Sequence, residues 1–170
     1  MNWHKNWIRN MDNMPLKGLE LVQGNKSDFK DLIELIQELA DFEKAPEAVS
    51  NSIEQMEEEW EHFDFVLAKI DGKTVGMAVY FFAYSTWVGK SLYLDDLYVK
   101  KDFRGKGIGR VLLDHVLRLA WEEKCYRVRW QVLDWNEPAI AFYEKIGADI
   151  SREWFNCDMD RAALRRYMDQ

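Results

Sequence analysis

A chain of 170 residues with 48% hydrophobic and 31% charged side chains is one ordinary domain's worth of sequence, long enough to bury a core without disulfides or metal. Its formal net charge of −7 at pH 7 is the wrong sign for gripping a phosphate backbone, so no nucleic-acid partner is expected. The longest apolar run, Met77 to Tyr84, falls far short of a bilayer span, which leaves no membrane partner and a cytoplasmic location as the expectation.

Residues 1–17 hold Trp3, Trp7 and Pro15 without a sustained period and read as an N-terminal extension, with residues 18–170 as one domain. Leu19, Leu21 and Val22 suggest a first strand, after which Ser27 caps a helix with Phe29, Leu32, Ile33, Ile36, Leu39 and Ala40 on one face. A second, acidic helix is expected from about Pro46 to Trp60. Phe65–Ile70 and Thr74–Tyr84 are rich in aromatic and β-branched residues, and the Asp71-Gly72 pair between them predicts a hairpin. Leu92–Val99 supplies another strand. Gly107–Glu123 has helical periodicity, with Ile108, Leu112, Val116 and Ala120 facing inward.

Tyr126, Val128, Trp130 and Val132 alternate with Arg127, Arg129 and Gln131, the period of a strand. Asn136 and Pro138 open a short helix that Gly147 closes. A strand near Trp154–Met159 and a terminal helix complete the chain. This order predicts an α/β protein with a mixed sheet, in which residues 92–132 form a βαβ crossover. Cys125 and Cys157 lack metal-ligand spacing and read as reduced thiols, His4, His62 and His115 form no ligand cluster, and no metal is expected. His115 shares the polar side of its helix with Arg118 and Glu122 and reads as a surface residue.

The segment Arg104-Gly105-Lys106-Gly107-Ile108-Gly109-Arg110 lies between a strand and a helix. Glycines there permit positive φ and remove Cβ atoms, so backbone N–H groups can converge on an anion such as a pyrophosphate. A Walker loop would need Lys-Ser/Thr after its second glycine, but Ile108 and Gly109 follow Gly107. A dinucleotide fingerprint would need a glycine where Arg110 stands. The pattern Arg-x-x-Gly-x-Gly after a strand fits Arg104, Gly107 and Gly109.

Taken with Tyr93-Leu94-Asp95-Asp96-Leu97-Tyr98-Val99, Trp135-Asn136-Glu137-Pro138 and Phe142-Tyr143, that turn resembles the GCN5-related N-acetyltransferases, and within them the diamine (spermidine/spermine) and thialysine N-acetyltransferases. The resemblance covers roughly residues 19–160. It implies a sheet splayed between the strands that flank the glycine turn, acetyl-CoA as co-substrate, and a homodimer. It implies cofactor binding by Leu97, Tyr98, Val99, the run Arg104, Gly105, Lys106, Gly107, Ile108, Gly109, Arg110, and by Asn136 and Tyr143. It further implies an amine pocket of Phe42, Glu43, Ser85, Trp87, Asp95, Asp96 and Trp135. Ser85-Thr86 stands where polyamine enzymes carry Asp-Pro, so the pocket resembles the thialysine branch, with a small amino acid or diamine favoured over spermidine.

An alkylammonium has a pKa of ~10.4, so at pH 7 only about one molecule in 2,500 is neutral, a deficit of roughly 4.6 kcal/mol. A base or a desolvating pocket must supply much of it. The resemblance favours Asp95 for that role over Asp96, although in a regular strand the two face opposite sides unless a bulge re-aims one. The leaving thiolate, with basicity near pKa ~8.5, can take a proton from a phenol of pKa ~10, and Tyr143 is the phenol implied. By pattern alone Tyr143, on the apolar face with Phe142 and Ile146, reads sooner as a core tyrosine, and the resemblance reverses that. Other readings stay open: an acceptor such as a protein N-terminus, or a catalytically silent acyl-CoA-binding sensor.

Overall fold

Asn25 rather than Ser27 starts the first helix. In the computed structural model, which describes residues 16–170, β1 (Leu19–Gln23) leads to Asn25, whose side chain accepts from the Ser27 N–H at 3.0 Å while an Asp28 carboxylate oxygen accepts from the Asn25 N–H at 3.2 Å. This capping box turns the chain into α1 (Phe29–Phe42), which buries Phe29, Leu32 and Leu35. Most of the expected extension, including Trp3, Trp7 and Pro15, lies outside the described residues. The chain forms two compact units, one ending at Gln131 and the other running from Val132 to Gln170.

The acidic helix expected over 46–60 is broken into α2 (Ile53–Glu58) and single turns at Pro46–Ala48 and Trp60–His62. Side chains of Asn51 and Ser52 cause the break. Asn51 Oδ1 accepts from the Ser52 N–H at 2.8 Å and Ser52 Oγ accepts from the Gln55 N–H at 3.2 Å, so backbone donors bond locally and the helix restarts.

β2 (Asp64–Ile70), β3 (Lys73–Ser85) and β4 (Gly89–Val99) form an antiparallel meander, with β1 beside β2 and β5 (Arg127–Arg129) parallel to β4. Asp71 and Gly72, at φ 49° and 76°, close the predicted hairpin. Helices α1 and α2 cover the sheet face that carries Phe65, Leu67, Met77, Val79 and Tyr98. On the opposite face α3 (Ile108–Glu122) packs against β3 and β4. Gly76 permits that approach: a Cβ there would stand 3.2 Å from Leu112 Cδ1 and 2.8 Å from the Tyr98 carbonyl oxygen.

The strand expected over 126–132 is short. Its rungs are Ser91–Arg127, Leu92–Val128 and Tyr93–Arg129, whereas β4 continues to Val99. The sheet therefore opens between the strands flanking the glycine turn, as the resemblance implies.

In the second unit, α4 (Glu137–Lys145) starts where Asn136 Oδ1 accepts from the Ala139 N–H at 3.4 Å. It stops at Gly147, φ 86°, where the N–H groups of Gly147 and Ala148 return to the carbonyls of Glu144 and Tyr143 at 2.9 and 3.0 Å. The strand expected near 154–159 is not formed, and Trp154 and Phe155 are exposed. Apolar alternation makes a strand only where a neighbouring edge receives it, and this segment has no ladder partner among the described residues. Asp160 caps α5 (Arg161–Met168) by accepting from the Ala163 N–H at 2.6 Å. Among the described residues no helix is long and apolar enough to cross a membrane.

Candidate active site

The opened half of β4 carries the two adjacent aspartates, and a bulge decides where they point. Val79 of β3 pairs with Asp96 and the next residue, Tyr80, pairs with Leu94, so Asp95 is the extra residue. Alternation then puts Asp96 on the face of Val79 and Tyr98, under α1, and leaves Asp95 exposed at the bulge. Helix α1 ends beside them. Burial pushes the Asp96 carboxyl up to about 7, with the charges of Asp95 and Glu43 adding to the rise. Asp95 and Glu43 keep access to solvent, yet partial desolvation by the surrounding chain also raises both carboxyls. Glu43, Asp95 and Asp96 thus form an acidic group in which a positive charge is favoured.

Beyond Val99 the chain enters the glycine turn. Arg104 Nε donates to the Val99 carbonyl at 2.9 Å, and its guanidinium lies 4.4 Å from the Phe42 ring centroid and 5.2 Å from that of Tyr98. Gly105 (φ 73°) and Gly107 (φ 82°) are left-handed, and Gly107 is the residue at which α3 begins. A Cβ on Gly105 would meet nothing within 4 Å, and one on Gly109 would make only an ordinary 3.8 Å contact with Val99. Gly105 is accounted for by its left-handed backbone, whereas at Gly109 neither backbone conformation nor packing demands a glycine, and its missing side chain leaves the helix mouth clear. The first-turn N–H groups of α3 point into that clearing without intrahelical partners. Ile108 is buried in the core and offers the site its backbone only.

The cations of the turn are tethered. Lys106 Nζ donates to the Asp102 carbonyl at 2.9 Å, and Arg110 Nε bonds Asp114 at 2.7 Å one turn along α3. Two residues that the sequence reading did not single out, Glu38 and Lys100, join this region: Glu38 takes Lys100 Nζ at 2.5 Å on one oxygen and the Tyr98 hydroxyl at 3.3 Å on the other. They are 62 positions apart, and no local pattern could have paired them.

Of the other amine-pocket candidates, Ser85 is half-buried and its Oγ accepts from the Trp87 N–H at 3.3 Å, while Trp87 itself is 86% exposed on the β3–β4 turn. In the second unit, Trp135 is partly exposed just before Asn136, whose amide oxygen is occupied in capping α4. Tyr143 is buried, 7% exposed, and burial raises its phenol. His115, expected at the surface, is half-buried in α3, and burial lowers its imidazole.

Residues 29–148 match the model of the acetyltransferase (GNAT) family. The chain is 36% identical over 160 residues to the thialysine N-epsilon-acetyltransferase of Caenorhabditis elegans, covering 91% of this chain and 100% of that one. It is 34% identical over 158 residues to the Mus musculus enzyme of the same name, covering 84% of this chain and 93% of that one. Among solved structures, an integron cassette protein from the mobile metagenome of V. cholerae superposes with a TM-score of 0.73 at 24% identity over 90% of this chain and 99% of that one, a likeness of fold. The family match runs from the start of α1 past the end of α4, so the chain belongs to the acetyltransferase (GNAT) family and is an acetyl-CoA-dependent N-acetyltransferase.

Proposed function

We propose that the enzyme acetylates the primary amine of a small cationic substrate, a thialysine-like amino acid or diamine, by direct attack with donor and acceptor bound together. The observation that carries this reading is the acidic group of Glu43, Asp95 and Asp96 at the opened end of β4. Two further supports are the names of the relatives, which are thialysine N-epsilon-acetyltransferases, and the Ser85-Thr86 turn.

The residues present fit acetyl-CoA. The cleared helix mouth suits a diphosphate, with Arg104, Gly105, Lys106, Gly107, Ile108, Gly109 and Arg110 holding it chiefly through backbone N–H groups. Leu97, Tyr98 and Val99 offer strand-like backbone partners along the opened edge, and Asn136 is assigned to the donor by the resemblance alone. When bound, acetyl-CoA supplies an acetyl group activated as a thioester. Asp95 takes the proton of the incoming ammonium, directly or through water, while Asp96 and Glu43 hold its charge. Phe42, Ser85 and Trp87 line the proposed pocket, to which the resemblance to the diamine and thialysine enzymes adds Trp135, aromatic faces suiting a cation or its alkyl chain. Tyr143 keeps its proton until the thiolate leaves, as its raised phenol suits. No metal is assigned a role.

Residues 18–170 are read as one acetyltransferase domain, working in the cytoplasm as a homodimer; the resemblance to the diamine and thialysine enzymes supports this. The deciding experiment presents purified protein and acetyl-CoA with a panel of thialysine, ornithine, diamines, spermidine and peptides, with products read by mass. Acetylated thialysine or diamine is the expected result, and acetylated peptides alone would overturn it.

A further inference from the structure

Phe42 sits at the amine end of the site yet touches the residue that opens the donor loop. Its ring, at the last position of α1, lies 4.4 Å from the Arg104 guanidinium, whose Nε is fixed on the Val99 carbonyl at 2.9 Å. Tyr98 supplies a second ring at 5.2 Å. One turn earlier α1 is fastened to the same stretch of chain, since Glu38 takes both Lys100 Nζ and the Tyr98 hydroxyl. The helix that ends in Glu43 is therefore bound to residues on both sides of the start of the loop. Lys106 and Arg110 are held by partners within the loop or along α3, whereas Arg104 is oriented from another element.

We infer that Phe42 is a positioning residue for donor binding: its ring face orients Arg104, so the acceptor-side helix and the diphosphate loop are set as one piece. This rests on the reading above, in which the loop takes the diphosphate of acetyl-CoA. Phe42 has no polar side-chain atom and so offers a diphosphate no hydrogen bond of its own; its route to that group is the Arg104 guanidinium on its ring face. Beyond the Nε bonded to Val99 and a bond to the Tyr98 side chain, the guanidinium keeps further N–H donors, and the ring face against it holds the plane that presents them. A leucine fills the space but has no π-face to attract the cation.

The test is a double-mutant cycle on acetyl-CoA binding, measured by calorimetry with wild type, F42L, R104Q and the double variant, and with F42Y as the rescue. F42L should weaken binding about two- to fivefold, F42Y should restore it, and F42L should have no further effect in the R104Q background. If wild type binds no acetyl-CoA, the underlying reading fails. If wild type binds and F42L binds equally well, or F42Y loses as much as F42L, or F42L loses the same factor with and without Arg104, this inference alone fails. Thermal melts confirm folding, and F42M replaces F42L should the leucine variant not fold.

Discussion

Val79 faces Asp96 across the β3–β4 ladder, although an unbroken register would bring Asp95 opposite Tyr80, where Leu94 stands. That single extra residue separates the fates of two neighbouring carboxylates. Asp96 turns under the end of α1 into the range of Glu43, and Asp95 stays at the opening with access to solvent.

Asp96 makes stability depend on pH in an unusual direction. Its folded pKa, about 7, lies above the ordinary carboxylate value, so the folded state binds the extra proton between roughly pH 4 and 7. Stability therefore falls as pH rises through that window and levels off above it. Asp96→Asn should remove most of this slope and stabilise the protein at pH 8 by roughly 1–3 kcal/mol. Urea midpoints at pH 5 and pH 8 check it, and an equal slope in both proteins would contradict the assignment.

Asp95→Asn should lower kcat/KM for the amine by about 10²-fold or more, chiefly below the amine pKa where the proton must be removed. The same change deletes one of the charges that raise Asp96, so the Asp96 pKa should drop. A pH–rate profile reports the first effect and carboxyl chemical shifts the second. Wild-type rates across pH would remove Asp95 as the base.

Tyr143→Phe keeps the buried ring and removes only the hydroxyl. Turnover should fall about 10²-fold while acetyl-CoA affinity stays close to wild type. Comparing kcat with the dissociation constant separates the two, and unchanged turnover would leave Tyr143 a packing residue.

Gly107→Ala places a side chain at φ 82°, where the left-handed conformation costs an L-residue about 1–2 kcal/mol. Melting should register that loss, and acetyl-CoA binding should weaken beyond it as the start of α3 shifts. A variant that melts lower but binds normally would show that the turn is merely structural.

What the sequence made legible was governed by neighbours in the chain. Asp71-Gly72, the Asn136 and Gly147 boundaries of α4 and the glycine turn all rest on backbone preferences settled within a few residues, and each is found as expected. The misreadings depended on what lies far away or on side-chain competition. Asn51 and Ser52 divert donors from the acidic helix, and Trp154–Met159 alternates without an edge to join. The bulge at Asp95 is set by the register with β3, and Phe42 and Arg104 are far apart in sequence. Tyr143 shows the remaining gap: its helical spacing favours a core residue, the resemblance favours a proton donor, and burial alone does not separate them.

The three-rung ladder between β4 and β5 also acts as a ruler. From the last rung at Tyr93 the free backbone of β4 advances at about 3.3 Å per residue to Val99, roughly 20 Å in all. On the proposed placement, a thioester anchored at the helix mouth and lying along that edge has about 13 Å to cover from Val99 back to the level of Asp95. With the donor so placed, a carrier with a clipped or lengthened arm presents its carbonyl out of step with the acids, and its acetyl transfer should be slower than that from acetyl-CoA.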